Sequence, residues 1–412
     1  PALPLPIARY GAEVRSSPTF PSGYHILAIP WDRIAEVAES GMFSRMESCW
    51  TPMLLHPSEI ASELIGASAA RRSPALQATG EGVTVTDIDS GVDILHPALF
   101  RADGGFYAWI DVDEDGAFTP GVDGVDLDRD GSLEDNEVLR VIEAVAVRDG
   151  EVAEPAGETF RARKDWLYLD RNRDRERNAG PEQGFFESDP AYGEPLFVAD
   201  DVDGDGALDV GEKLVRLSTS KVERYITDGE EFVRGEDLIT SVLSPGYQRA
   251  FHGTGVAGAL LGGQAGYHDR VGVAPGAELV MVGLTSEVER TSPLQSGYGN
   301  HIMAIEEATR RGTDILLHEW SDPFTQPLDG TTLLEEVMVA TANASDVLHI
   351  KPVGNLNGSN KHIEEVVLPD ELTSMPFLIE EGAGEGPGFF ALVGSLQWRG
   401  DGGDELDIEL VS

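Results

Sequence analysis

Apolar positions along the chain follow two periods. The run VTVTDID (83–89) is β-branched and stops at a Ser-Gly turn, as a strand does at its carboxyl end. Downstream, helical spacing over 252–262, 300–310 and 332–343 alternates with strand-like runs at 277–284, 313–319 and 347–354. Strands alternating with helices predict an α/β fold, a parallel sheet with helices on both faces. Upstream, residues 1–22 are rich in Pro and Ser and read as an extended arm, 24–30 as a strand and 32–40 as a helix. A short apolar stretch (49–55) and a loosely helical, Ala-rich link (57–82) follow. Two segments break the alternation. Residues 101–250 carry Asp-x-Asp runs and Gly turns with little sustained periodicity, while 375–412 return to strand-like pieces that stop in mid-pattern. The expected organisation is an N-terminal extension (1–56), a core in two pieces (57–100 and 250–374), an acidic insertion (101–249) and the start of a β-rich insertion or domain (375–412).

Composition narrows the function class. The 412 residues carry 73 acidic and 30 basic side chains, a formal charge of −43, and only five of the basic residues are lysines. Binding to nucleic acid or to an anionic membrane surface needs a basic footprint, so both are disfavoured. No apolar run approaches the roughly 18 residues of a membrane span. Cys49 is the single cysteine, which excludes an internal disulfide framework. Acidity on this scale reads equally as solubility in a salty or extracytoplasmic setting and as neutral drift of composition; a secreted or extracytoplasmic location is the favoured expectation. The missing initiator Met and the abrupt end predict a chain that has been processed or cut.

Three islands carry candidate chemistry. DIDSGVDILHPAL (87–99) closes the first strand of the core, HGTGVAGALLGG (252–263) opens a helix with a His followed by small residues, and KPVGNLNG (351–358) is a strand ending in Gly-Asn. Taken singly, each reads equally as a capping Asp, a capping His or a turn Asn. Together, in this order, they resemble the subtilisin-like serine proteases (subtilases), with their Asp-Ser-Gly, His-Gly-Thr-x-Val-Ala-Gly and Gly-Asn motifs. VGVAPGAELVMVGL (271–284) is similar to the segment that follows the histidine helix in that family. The resemblance spans about 83–115 and 250–357 and implies a serine endopeptidase acting on proteins or peptides. The physical reading agrees. A serine hydroxyl is a poor nucleophile unless an imidazole takes its proton and a carboxylate holds that imidazole's tautomer. Asp89 is the expected orienter, His252 the general base, and Asn355 the donor to a developing oxyanion, worth about 2.7–4 kcal/mol in such sites.

The family's nucleophile motif, Gly-Thr-Ser-x-Ala, does not occur in the chain; Gly330-Thr331-Thr332 lacks the serine and precedes Asn355. Three readings stay open. The serine sits on a companion chain produced by cleavage near 412, or the sequence is a fragment of a longer chain, or the protein is a calcium-binding pseudoprotease that acts as a binding module. Where the family has Ser-Leu-Gly beside the substrate, this chain has HEWSDP (318–323); Glu319 and Asp322 either favour basic substrate residues or are loop charges. The strand–helix–strand order over 24–55 is similar to a subtilase propeptide, and reads equally as an ordinary extension.

Between Asp89 and His252 lie 162 residues, far more than compact subtilases hold there. Residues 101–250 contain 37 acidic and 17 basic side chains, a net of −20. DLDRDGSLEDNE (126–137) and DVDGDGALDVGE (201–212) both fit the EF-hand loop, with acids at positions 1, 3 and 5, Gly at 6 and Glu at 12. A hard cation wants six to eight oxygens, the Gly permits the sharp turn, and the distant Glu closes the sphere bidentately. The expected calcium ligands are Asp126, Asp128, Asp130, the Ser132 carbonyl and Glu137, then Asp201, Asp203, Asp205, the Ala207 carbonyl and Glu212. DVDEDG (111–116) begins the same way but has Val122 at the twelfth place, so it shares an ion or is an empty acidic turn. DRNRDRERN (170–178) lacks the Gly, is interleaved with Arg, and reads as a solvated loop. The loops lack long flanking helices, which predicts a structural clip rather than a calcium sensor.

Overall fold

The computed structural model describes residues 65–142, 160–284 (apart from 228, 245–246 and 248–249), 298–321 and 330–352, with short pieces within 6–54, 147–152 and 368–374. In chain order, the strands of its two main sheets are β1 (Thr84–Asp89), β2 (Phe106–Tyr107), β3 (Leu139–Ile142), β4 (Trp166–Leu169), β5 (Leu196–Asp200), β6 (Lys213–Leu217), β7 (Val222–Thr227), β8 (Glu230–Val233), β9 (Glu278–Gly283), β10 (Ile315–His318) and β11 (Leu348–Ile350). The main helices are α1 (Phe251–Leu261), α2 (Tyr298–Arg310) and α3 (Leu333–Ser345).

The central sheet has the order β8-β7-β9-β1-β10-β11. All its pairings are parallel except the edge hairpin of β7 with β8. From Val85 onward every residue of β1 is buried, Thr86, Asp87 and Asp89 included, as befits a parallel strand covered on both faces. On one face Leu279 and Met281 of β9 pack with Ala257 and Leu261 of α1. On the other, Ile88, Val282 and Leu316 pack with Ile302 and Ile305 of α2 and Val337 of α3. The expected α/β architecture with helices on both faces is therefore present. Helix α3 starts on a capping box, in which Thr332 accepts from the Glu335 amide while Glu335 accepts from the Thr332 amide. The chain runs from β9 through α2 to β10, so it passes from one side of β1 to the other. The carboxyl end of β1 is thus a topological switch point, where α/β sheets open a crevice.

The insertion departs from expectation in two ways. It is not aperiodic: β2, β6, β5, β4 and β3 form a five-stranded antiparallel sheet in that order. Leu167, Leu169, Phe197, Ala199 and Leu214 face a core of its own. The alternate residues Tyr168, Leu196, Val198, Val215 and Leu217 join the cluster that holds α1 and β9. Burial on both faces of strands only two to five residues long erases the polar alternation that would have marked them. The insertion also ends earlier than 249, because β7 already belongs to the central sheet. Lys221, just before β7, is buried and its amine donates to the Leu261 and Gly263 carbonyls, tying this junction to the end of α1. Residues 375–412, expected to be β-rich, lie outside the described residues.

Three imidazoles line up across the second face. His301 Nε2 lies 2.7 Å from His318 Nδ1, His318 Nε2 lies 2.9 Å from His349 Nδ1, and His349 Nε2 lies 3.0 Å from the Thr341 hydroxyl. Burial lowers all three pKa values, His301 to about 3, with Lys351 and His349 adding to the burial effect there. The native stack stays neutral while the unfolded chain takes up protons below about pH 6.5. Its stabilisation is therefore full above that value and is lost as pH falls toward the native pKa values. His301→Gln should remove one such proton uptake and flatten the acid-side stability slope between pH 6 and 4.5 by up to about 1.4 kcal/mol per pH unit. Thermal or urea unfolding at stepped pH measures it, and an unaltered slope would refute the neutral stack.

Candidate active site

At the end of β1 the chain delivers a carboxylate to the start of α1. His252 Nδ1 lies 2.8 Å from both carboxylate oxygens of Asp89. Both residues are buried, at 4% and 0% exposure. The Ser90 amide also donates to Asp89 Oδ1, and the Gly253 amide donates to Ser90 Oγ at 3.1 Å, which locks the strand end to the helix start. Two glycines make this approach possible. A Cβ at Gly253 would lie 2.2 Å from the Gly91 carbonyl oxygen and 3.1 Å from the Asp89 side chain. Gly91 itself has φ +124°, and a Cβ there would meet the Tyr225 hydroxyl at 2.5 Å. This geometry holds the imidazole by Nδ1 and leaves Nε2 as the nitrogen that can exchange a proton with a reacting group.

Two further acids stand behind the pair. Asp87 is fully buried on β1, and neither of its oxygens has a hydrogen-bond partner among the described residues. Burial, reinforced by repulsion from Asp89 and Glu319, holds its carboxyl well above the ordinary range. Glu319 follows β10, where its amide donates to the Ile88 carbonyl at 3.3 Å. Burial and the charge of Asp89 push it up to about 7, partly offset by His252. The site thus contains acids that favour their neutral form around a buried Asp–His pair.

The family model described as "Subtilase family" matches residues 80–375, well over half of the chain. The chain belongs to the subtilase family. A solved structure of the Clostridium perfringens CspB protease is 14% identical to this subtilase, with a TM-score of 0.37 over 74% of this chain and 43% of that one. The subtilase therefore spans less than half the length of that protease chain. Among curated proteins, none matches.

Of the expected site residues, Asp89 and His252 are in contact, while Asn355 and Asp322 lie outside the described residues. Beyond Glu319, Trp320–Ser321 pairs antiparallel with Met53–Leu54, so a stretch of the N-terminal region adds a strand to the segment that follows Glu319.

Acidic clusters that could coordinate a divalent ion sit in the subtilase's insertion, each opening directly after a strand. Ligand oxygens of Asp126, Asp128 and Asp130 lie within 4.8 Å of one another, as do those of Asp128, Glu134 and Glu137. The second loop gathers Asp201, Asp203 and Glu212, and also Asp203, Asp205 and Asp209. The Ser132 and Ala207 amides donate to Asp130 and Asp205, which sets the expected carbonyl-bearing residues inside each turn. Glu134 and Asp209, both at the ninth position, were not among the expected ligands, although that position commonly contributes to such loops. The two closing acids are held alike. The amides of Leu127 and Glu134 donate to the two oxygens of Glu137, and those of Val202 and Asp209 to the two of Glu212. Asp126 Oδ1 is buried with no hydrogen-bond partner among the described residues, which is the condition a cation would satisfy. The partial loop is more complete than its twelfth residue suggests. Asp123, one place later and fully buried, accepts from the Val112 and Thr119 amides just as the two glutamates do, and Asp111, Asp113 and Asp115 converge beside it.

Asp87 gives a test of the buried-acid site. A raised native pKa means that the native state keeps a proton the unfolded chain has lost, so stability is present at low pH and declines as pH rises above the ordinary carboxylate value. Asp87→Val, which suits a buried strand, should stabilise the protein by about 1–3 kcal/mol at pH 8 and by less at pH 4.5. Paired thermal melts at the two pH values measure the difference, and a destabilised variant at pH 8 would contradict the burial of an unpartnered acid.

Proposed function

We propose that this chain is the Asp/His-bearing part of a calcium-stabilised serine endopeptidase. A serine hydroxyl supplied by a downstream segment or a companion chain attacks the peptide carbonyl. His252 takes its proton and later returns it to the leaving amine, and Asp89 stabilises the imidazolium. The observation that carries the reading is the contact of His252 Nδ1 at 2.8 Å with Asp89, both buried, at the switch point of the sheet. Asn355 is the intended oxyanion donor, protein or peptide the substrate, and a secreted or extracytoplasmic compartment the setting. Residues 1–56 act as a propeptide-like segment whose Met53–Leu54 strand occupies the edge a substrate would use. The alternative, a catalytically inactive pseudoprotease that works as a binding module, is favoured by one observation: the absence of Gly-Thr-Ser-x-Ala from these 412 residues. Native material treated with a fluorophosphonate probe separates the two. The endopeptidase reading expects a labelled serine on a co-purifying or downstream segment, with turnover lowered roughly 10⁴- to 10⁶-fold by His252→Ala. Native material without a labelled serine rejects it.

The same proposal assigns calcium to the loops 126–137 and 201–212, through the ligands Asp126, Asp128, Asp130, Ser132 carbonyl and Glu137, and Asp201, Asp203, Asp205, Ala207 carbonyl and Glu212. The loop 111–123 joins them, closed by Asp123. Bound calcium cancels charge in a segment of net −20 and holds its strands together, so binding adds to folding free energy. Chelation should lower the melting temperature and open the insertion to proteolysis before the core around β10 and β11. Asp128→Ala or Asp203→Ala should reproduce part of that shift. A melting curve and cleavage pattern indifferent to exhaustive chelation would remove calcium from the reading.

A further inference from the structure

The Arg-rich stretch 170–178, expected to be a solvated loop, is anchored at both ends by buried acids. Asp170 is 1% exposed and Glu194 is 2% exposed. Asp170 turns one oxygen, Oδ2, to the Arg140 guanidinium and to the Arg175 amide of the loop itself. Its other oxygen, Oδ1, is buried with no hydrogen-bond partner among the described residues. Asp126, which opens the 126–137 loop, leaves its Oδ1 in the same condition. The Arg175 amide holds Asp170 Oδ2 from within the loop, as the Gly206 amide holds Asp201 Oδ2 in the 201–212 loop. Asp170 pairs with Arg140 through Oδ2 only, so its Oδ1 remains a buried acceptor that a cation in the turn would satisfy.

We propose that Asp170, Asn172, Asp174, the Glu176 carbonyl and Glu194 form a further calcium-class cation site, closed by an acid from outside the loop. The ligand types are those of an EF-hand turn at positions 1, 3, 5 and 7 with a bidentate closing acid. Position by position, the backbone agrees. The Asp174 amide donates to Asn172 Oδ1 and the Glu176 amide to Asp174 Oδ1, as the Asp205 and Ala207 amides do to Asp203 and Asp205. Arg173 and Arg175 adopt φ +62° and +70°, where the 201–212 loop has Gly204 and Gly206 at +80° and +91°. The Arg171 and Asn178 amides donate to the two oxygens of Glu194 at 2.9 and 3.0 Å, the same second and ninth positions that hold Glu212 and Glu137. Glu194 arrives from the sheet: it lies just before β5, and the Leu169 amide at the end of β4 donates to the Pro195 carbonyl. Asn172 and Asn178 each turn Nδ2 to Asp174 Oδ2, at 2.8 and 2.9 Å. Asn172 and Asp174 are exposed, so these contacts can yield to a cation without disturbing the core.

This inference rests on the calcium reading of the insertion, and its test separates the two. The full chain is stripped with chelator, returned to saturating calcium alone, and the bound ions are counted by native mass spectrometry. Asp174→Ala, an exposed change that leaves the core contacts of Asp170 and Glu194 in place, should bind one ion fewer than the parent chain, and Glu194→Gln should do the same. Asp203→Ala, in a separate loop, should also lose one ion, and the double variant Asp174→Ala/Asp203→Ala two. If Asp174→Ala and Glu194→Gln each keep the parent's count while Asp203→Ala loses one, the 170–194 site is overturned and the other loops stand. A parent chain that binds no calcium overturns both.

Discussion

An ionised carboxylate taken out of water needs hydrogen-bond donors in place of its hydration shell. Asp89 finds them where β1 meets α1, and the surrounding architecture serves that contact. The parallel order places β1 between β9 and β10, with its carboxyl end at the switch point of the sheet. The amide of Ser90 and the imidazole of His252 supply the donors. Gly253 lacks the side chain that would hold the helix away from the strand, and Gly91 lacks one that would meet the Tyr225 hydroxyl of β7. A Cβ at Gly253 would strike the Gly91 carbonyl first, at 2.2 Å, and the Asp89 side chain next, at 3.1 Å.

The insertion obeys the same constraint on a larger scale. Its sheet gives one face to a core of its own and the other to the core of the sheet that carries Asp89. Its acids are gathered into turns at the strand ends, where backbone amides converge on carboxylate oxygens. The antiparallel order places the loops 126–137 and 170–178 at one end of the sheet, since Leu139 pairs with Leu169, and the loop 201–212 at the other, between Asp200 and Lys213. Charge is thereby fixed at the two ends of a packed apolar layer, and the strands between are free to be almost wholly hydrophobic.

Much of this was legible along the chain. The β1 run, the α1 motif and the alternation from 277 to 350 announce themselves because buried parallel strands and amphipathic helices have periods of their own. The antiparallel sheet of the insertion was not legible, because strands such as Trp166–Leu169 are short and covered on both faces. β7 was hidden for a different reason: it sits among acidic turns, and only its pairing with β9 reveals the sheet to which it belongs. The closing acids divide in the same way. Glu137 and Glu212 stand where a twelve-residue turn puts them. Asp123 is displaced by one place, and Glu194 comes 24 positions after Asp170, a separation that only strand pairing makes local.

The pairing of Met53–Leu54 with Trp320–Ser321 carries a kinetic consequence. A strand tethered to the edge on which it docks competes at an effective concentration set by its linker, on the order of millimolar for short flexible connections. A free peptide seeking the same backbone hydrogen bonds meets a rival that does not diffuse away and is not diluted with the protein. If a substrate takes that edge, as the proposed function holds, its access turns on whether the connection between Leu54 and Ala67 remains intact as well as on its own affinity. A cut there would then convert a tethered competitor into a dissociable one.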